Sequence, residues 1–301
     1  MKCLYEEETD MRYTLENENL KVEIDSFGAE IKSVKRKSDN FEYMWCGDKK
    51  YWGRTSPVLF PFVGAPKNKE YRYDGKTYTM GQHGFARDME FAVDSQTETE
   101  AWFSLRDSEE TLAKYPFAFV LRIGYRLEGS TIRVVWQVEN PADQEMYFSI
   151  GGHPAFLCPL KGEGEQSDYY LKFDTKEPIT YGLVDENGMM SRKEEILHTE
   201  DGYCRITEHM FDKDALIVEN RQASSVSLCT PDKKEYLTVT FDMPLFGVWS
   251  PAGKHAPFIC IEPWCGRCDR AEFEGTLEER EYGECLKTGE TFRQEYGITV
   301  S

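Results

Sequence analysis

Two histidines and one glutamate stand where glycine or proline controls the backbone beside them. His83 lies in Gly81-Gln82-His83-Gly84-Phe85-Ala86-Arg87, His153 in Gly151-Gly152-His153-Pro154-Ala155-Phe156, and Glu262 in Ile261-Glu262-Pro263-Trp264. Only five histidines occur in the chain. An imidazole titrates close to neutrality and moves a proton without a large environmental shift. The glycines around His83 let the backbone draw close and expose the ring, whereas Pro154 restricts His153 to extended geometry that aims its side chain. Glu262 ends the apolar run Phe258-Ile259-Cys260-Ile261. Facing inward it would be partly desolvated, its pKa raised and its strength as a general base increased. Together the three make a small acid-base site for a neutral polyol. Each also has an ordinary structural reading: a loop histidine, a turn, an acidic strand edge.

Arg54, between Tyr51-Trp52-Gly53 and Thr55-Ser56-Pro57, offers a planar donor fork suited to adjacent hydroxyls or to a carboxylate. The aromatic residues near it could pack on the C–H face of a sugar, or fill the core. Cys265-Gly266-Arg267-Cys268 follows Trp264 in a thioredoxin-like pattern, which admits thiol redox chemistry if one thiolate caps a helix. Arginine replaces the usual proline, and no βαβ pattern surrounds the segment. Cys260, Cys265, Cys268 and Cys285 could also form a four-thiolate zinc site, although only one pair has a short spacing. His83, His153 and Glu262 as catalytic metal ligands lack a diagnostic motif. No metal and no cofactor is expected.

Composition narrows the class of partner. The formal charge of -18, from 54 acidic against 36 basic side chains, disfavours a phosphate backbone or an anionic membrane. A small neutral ligand meets no such penalty, and the chain is expected as a monomer or homodimer. The first residues lack a secretory apolar run, and no segment has the length to span a bilayer, so a cytoplasmic location is the expectation. Most of the nine cysteines read as reduced core residues.

The elements that must position these residues are strands. Apolar residues alternate through Leu20-Lys21-Val22-Glu23-Ile24 and put Ile132, Val134, Trp136 and Val138 on one face. Asp74-Gly75 predicts a tight hairpin between aromatic arms, and Glu128-Gly129-Ser130 a second. Further extended segments run from Tyr170 to Phe241, and Glu290 to Val300 closes the chain. Helical signals are confined to an Asp107/Glu110 capping arrangement ahead of Thr111-Leu112-Ala113-Lys114 and to residues 277–281. Residues 158–165 and 184–190 read as loops. The whole, residues 1–301, is expected to form one large all-β antiparallel sandwich, with its site assembled from distant strand ends.

In the order Arg54, Gly-Gln-His83-Gly-Phe-Ala-Arg, Gly-Gly-His153-Pro-Ala-Phe and Ile-Glu262-Pro-Trp, the chain resembles the aldose 1-epimerase, or galactose mutarotase-like, superfamily, especially its LacX-like branch. That resemblance implies a β-supersandwich with a sugar cleft. It implies Glu262 as general base, His153 as general acid, and His83 as the residue that orients the sugar. Arg54 is implied as a substrate-positioning residue, and Asp214 as the matching acidic residue between His153 and Glu262. The implied reaction interconverts the α and β anomers of a free hexose such as galactose or glucose. A hexose 6-phosphate, contacted by Arg87 or Arg267, and a noncatalytic carbohydrate-binding protein are the alternatives.

Overall fold

The computed structural model describes residues 12–301, and every ladder between its strands is antiparallel. Two large sheets dominate. One has nine strands in the order Tyr203–Arg205, Tyr170–Phe173, Ser225–Cys229, Glu235–Phe241, Thr291–Val300, Thr131–Glu139, Val120–Glu128, Glu100–Arg106 and Ala92–Gln96. The other runs Met190–Leu197, Ile179–Val184, Leu216–Val218, Leu245–Trp249, Phe258–Cys265, Ile150–Gly152 and Val58–Leu59, with Ala155–Leu157 also paired to Phe258–Cys265. A four-stranded sheet from Arg12–Glu16 to Phe41–Glu42 packs beside them.

Alternation decides which residues enter the core. Ile132, Val134, Trp136 and Val138 are all buried, as their spacing predicts, and they join Ile298 and Val239 of the same sheet. The same apolar cluster takes in Val248, Ile259 and Ile261 from the eight-stranded sheet. The architecture is therefore a β-sandwich, held by burial worth about 1.5–3 kcal/mol for each large apolar side chain. The intervening residues of Phe258–Cys265, namely Cys260, Glu262 and Trp264, face away from that cluster.

The Asp74-Gly75 hairpin forms with both residues at positive φ, 47° and 69°, and Tyr71 stacks on Tyr78 across it. The second hairpin pairs Val120–Glu128 with Thr131–Glu139 over its full length. The helix Glu109–Lys114 is capped differently from the prediction. Ser108 and Thr111 form the capping box, because the Asp107 carboxylate accepts the Phe119 backbone N–H instead. Residues Leu277–Glu279 form a 3-10 turn. The loop at residues 184–190 turns a hairpin between Ile179–Val184 and Met190–Leu197, two strands that alternation alone did not reveal. Among the described residues, no helix is long and apolar enough to cross a membrane.

Candidate active site

The strand Phe258–Cys265 is met by two separate strands on one side. Gly151 pairs with Trp264, and Ala155 pairs with Cys260. The register is the same on both sides of the break at His153-Pro154, so position 153 stands opposite Glu262. Proline cannot donate to the ladder, and the interruption frees the imidazole to turn onto the sheet face. His153 Nε2 lies 3.3 Å from Glu262 Oε2, without the alignment of a hydrogen bond. Glu262 is 1% exposed and His153 7%.

Aromatic rings frame the pair. Trp52 stacks on His153 at 4.6 Å with 26° between planes, and Trp249 meets the same imidazole edge-on at 5.4 Å. The Trp264 indole lies over two glycines of the neighbouring strands. A Cβ on Gly151 or on Gly247 would come within 2.5 Å of that ring.

His83 stands perpendicular to His153, ring centroids 5.8 Å apart. Its backbone adopts φ 65°, and the following Gly84 is required, since a Cβ there would sit 2.2 Å from the Phe60 carbonyl oxygen. His83 Nδ1 accepts the backbone N–H of Gly64 at 3.1 Å. That contact keeps the neutral ring's proton on Nε2, as a donor.

These side chains line one cavity of about 400 Å³ with Arg54, Gln82, Arg87, Asp214 and Arg267, within the range of about 300–1,000 Å³ usual for small-molecule sites. Four buried side-chain polar atoms lack a hydrogen-bond partner among the described residues: Arg87 Nε, His153 Nδ1, Glu262 Oε2 and Trp264 Nε1. All four belong to residues of this cavity wall. Orphaned buried polar groups are costly, so their concentration here marks the cavity as built for a polar ligand. A larger groove of about 630 Å³ beside Glu165, Asp212 and His255 has none.

Burial pushes the Glu262 carboxyl well above the usual range, and the nearby Asp214 charge adds to it; the Trp264 N–H opposes this weakly. Burial and the positive charges of Arg87 and Arg54 hold His153 down at about 3. His83 is also lowered, by burial and by His153, Arg87 and Arg54. Burial therefore disfavours the charged form of both members of the 153/262 pair, the carboxylate and the imidazolium.

A model of the aldose 1-epimerase family matches residues 11–299. The chain belongs to the aldose 1-epimerase family. It is 32% identical over 299 residues to Protein LacX, chromosomal, of Lactococcus lactis subsp. lactis, a match covering 96% of this chain and 99% of the relative. The galactose mutarotase related enzyme of Lactobacillus acidophilus superposes with a TM-score of 0.92 at 37% identity, covering 97% of both chains. A galactose mutarotase-like protein of Lactobacillus casei ATCC 334 gives 0.90 at 32% identity, covering 96% of this chain and all of the other. Family and fold together support aldose 1-epimerase-like activity.

Arg54, His83, Arg87, His153, Asp214, Glu262 and Arg267 all border this epimerase-type cavity, but not all are equally available. Arg54 donates to Asp88 at 2.8 Å and is oriented by it. Arg87 donates one Nη to the Gln82 carbonyl, and its Nε has no hydrogen-bond partner, with the Asp88 carboxylate 3.8 Å away. Arg267 is committed elsewhere: its Nε and Nη groups donate to Glu219, Glu281 and the Cys268 carbonyl. It braces the wall, and a contact to phosphate would have to displace those partners. Asp214 adopts φ 74° and its carboxylate accepts the Ala215 N–H at 2.9 Å.

The four-thiolate zinc site does not assemble. Cys265 lies in the inter-sheet core, Cys268 in the cavity wall, Cys260 under His153, and Cys285 is exposed on a separate ribbon. The redox reading fails for a related reason: Cys265 ends a strand instead of capping a helix, and burial raises both thiols, Cys268 to about 11. Both are free.

Two contributors escaped the sequence reading. Trp249 carried no motif. Glu30 is buried and accepts the backbone N–H groups of Thr55 and Ser56 at 2.7 Å each, fixing the loop that carries Arg54. Glu30 opens the strand Glu30–Arg36, whose other residues include two lysines, a serine and an arginine, so nothing in the local pattern set it apart.

Proposed function

We propose that the protein is an aldose 1-epimerase acting on a free hexose, with Glu262 as base and His153 as acid. The observation that carries this reading is the cross-strand pair at 3.3 Å in the cavity that also holds the four orphaned polar atoms. Glu262 takes the proton of the hydroxyl at C1 while His153 gives one to the ring oxygen, so the ring bond breaks and the aldehyde forms. Rotation about C1–C2 turns the other carbonyl face toward the oxygen. Reversal of both transfers closes the opposite anomer.

In the proposed reactive state the buried pair holds a single proton, which suits this chemistry. Glu262 carboxylate with His153 imidazolium is a tautomer of neutral acid with neutral imidazole, so the reactive form needs no proton from solvent. A sugar hydroxyl donating to Glu262 Oε2 favours that form. The His83 Nε2–H and the Arg54 fork supply directional hydrogen bonds to the remaining hydroxyls, and Trp52, Trp249 and Trp264 offer apolar faces for C–H groups. Such positioned transfers contribute about 10²- to 10⁴-fold.

A second substrate reading, a hexose 6-phosphate, is favoured by one observation: Arg87 Nε is buried at the cavity wall without a hydrogen-bond partner, the Asp88 carboxylate standing 3.8 Å away. Pure α-anomers of neutral hexoses and of their 6-phosphates, followed by polarimetry, separate the two. The mutarotase reading expects equilibration far faster than buffer for one of these classes. Rates equal to buffer for all of them, with sugar binding retained, would leave a carbohydrate-binding protein.

A further inference from the structure

We propose that Cys260 joins His153 and Glu262 in a three-donor site for a thiophilic divalent cation, zinc(II) or cadmium(II), whose binding disables the acid-base pair. The inhibitory consequence rests on the mutarotase reading above; the binding does not.

The geometry follows from the sheet. Cys260 and Glu262 are two residues apart on Phe258–Cys265 and so share one face, and His153 stands opposite Glu262 on the same face. One ligand atom from each, a sulfur, a nitrogen and an oxygen, lies within 4.8 Å of the other two. The 3.3 Å between His153 Nε2 and Glu262 Oε2 matches the edge of a tetrahedron whose bonds are about 2.0–2.1 Å, roughly the zinc–nitrogen and zinc–oxygen lengths. Glu262 Oε2 is buried and has no hydrogen-bond partner to surrender.

The donor set selects the ion. A thiolate with an imidazole suits zinc or cadmium, whereas magnesium and calcium require more oxygen ligands than this site has. Thiolate and carboxylate neutralise a divalent charge, so the complex with neutral imidazole buries no net charge. Asp214 adds negative potential beside Glu262, against the positive potential that Arg87 and Arg54 place on His153. The fourth position faces the cavity, where a water or a sugar hydroxyl completes the tetrahedron. On binding, the Cys260 S–H bond breaks as the S–metal bond forms, and that proton and the one held by the 153/262 pair pass to solvent. With both lone pairs on the cation, neither residue can accept or deliver a proton to sugar. Cys260 takes no part in the epimerase steps, which makes it the diagnostic position.

The test uses chelator-treated full-length protein. Cobalt(II) should give the absorption of a tetrahedral ion with a thiolate charge-transfer band, displaced by zinc and lost in Cys260→Ala and Cys260→Ser. Equilibrium dialysis should show one zinc whose affinity drops at least about tenfold in either variant and in Glu262→Gln, since even outer-sphere partners are worth about 10–100-fold. Zinc should inhibit wild-type anomer exchange reversibly with chelator, and Cys260→Ala should keep the basal rate while resisting zinc. A cobalt spectrum without a thiolate band, or one unchanged in both Cys260 variants, overturns the site. Stoichiometric, Cys260-dependent zinc binding without mutarotation of any sugar would retain the site and sink the mutarotase reading. Fast mutarotation insensitive to zinc would do the reverse.

Discussion

Glu262 and His153 face one another across a ladder broken between Gly151 and Ala155, where Pro154 and Pro263 cannot donate, with 3.3 Å between Oε2 and Nε2. Burial disfavours the carboxylate of Glu262 and holds the neighbouring imidazole neutral. A site assembled this way costs stability, and substitutions at it should separate stability from activity.

Glu262→Gln should lower kcat by about 10²- to 10⁴-fold and raise unfolding stability near neutral pH by about 1–3 kcal/mol. The folded-state pKa of Glu262 is raised, so its stabilising influence is complete below the unfolded value and is lost as pH climbs through the folded one. Glutamine mimics the protonated acid at every pH. The stability gap between variant and wild type, from denaturant unfolding, should therefore shrink as pH falls toward 4.5. A gap constant with pH would contradict the buried, pKa-raised carboxyl.

The acid limb of the kcat/KM profile should lie well below the ordinary imidazole value of 6.5, because His153 takes up a proton only near about 3. Activity falls on the acid side when both members are protonated and the base is gone. It falls on the alkaline side when the shared proton leaves, above the ordinary carboxyl value of 4.5. After burial, Arg87 is the largest cause of the His153 depression, so Arg87→Gln should move the acid limb to higher pH. An unmoved limb would mean that burial alone sets it.

Trp52 holds the His153 ring by stacking, an interaction worth about 0.5–1.5 kcal/mol. Trp52→Ala should cut kcat by roughly 3- to 10-fold, with Trp52→Phe recovering most of it. Equal losses in both variants would point to the indole N–H or its bulk instead.

The cavity residues His83, His153 and Glu262 were legible because glycine and proline mark them: Gly84 has no room for a Cβ, and Pro154 interrupts a ladder. Alternation likewise exposed the strand Thr131–Glu139, and an apolar run marked Phe258–Cys265. What the linear pattern does not contain is register. Nothing local to residues 151–155 says that Gly151 meets Trp264 and Ala155 meets Cys260, and the opposition of His153 to Glu262 follows from that alone. Glu30 was missed because a carboxylate in a strand reads as solvent-facing until its backbone partners at Thr55 and Ser56 are known. That Arg267's donors are spent on Glu219 and Glu281 could not be read locally, because those residues lie 48 and 14 positions away.

Gly247 has no positive φ to defend, so its need for glycine is purely a matter of room. It pairs with Glu262, and a Cβ there would lie 2.5 Å from the Trp264 ring. Gly247→Ala should therefore force the indole off the sheet and into the cavity, at about 1–3 kcal/mol of stability and with a raised KM. A smaller ring relieves the clash: adding Trp264→Phe to Gly247→Ala should return part of the lost stability, although Trp264→Phe alone destabilises. Thermal melts of the two single variants and the double variant measure that coupling. Strictly additive losses would show that the indole does not rest on Gly247.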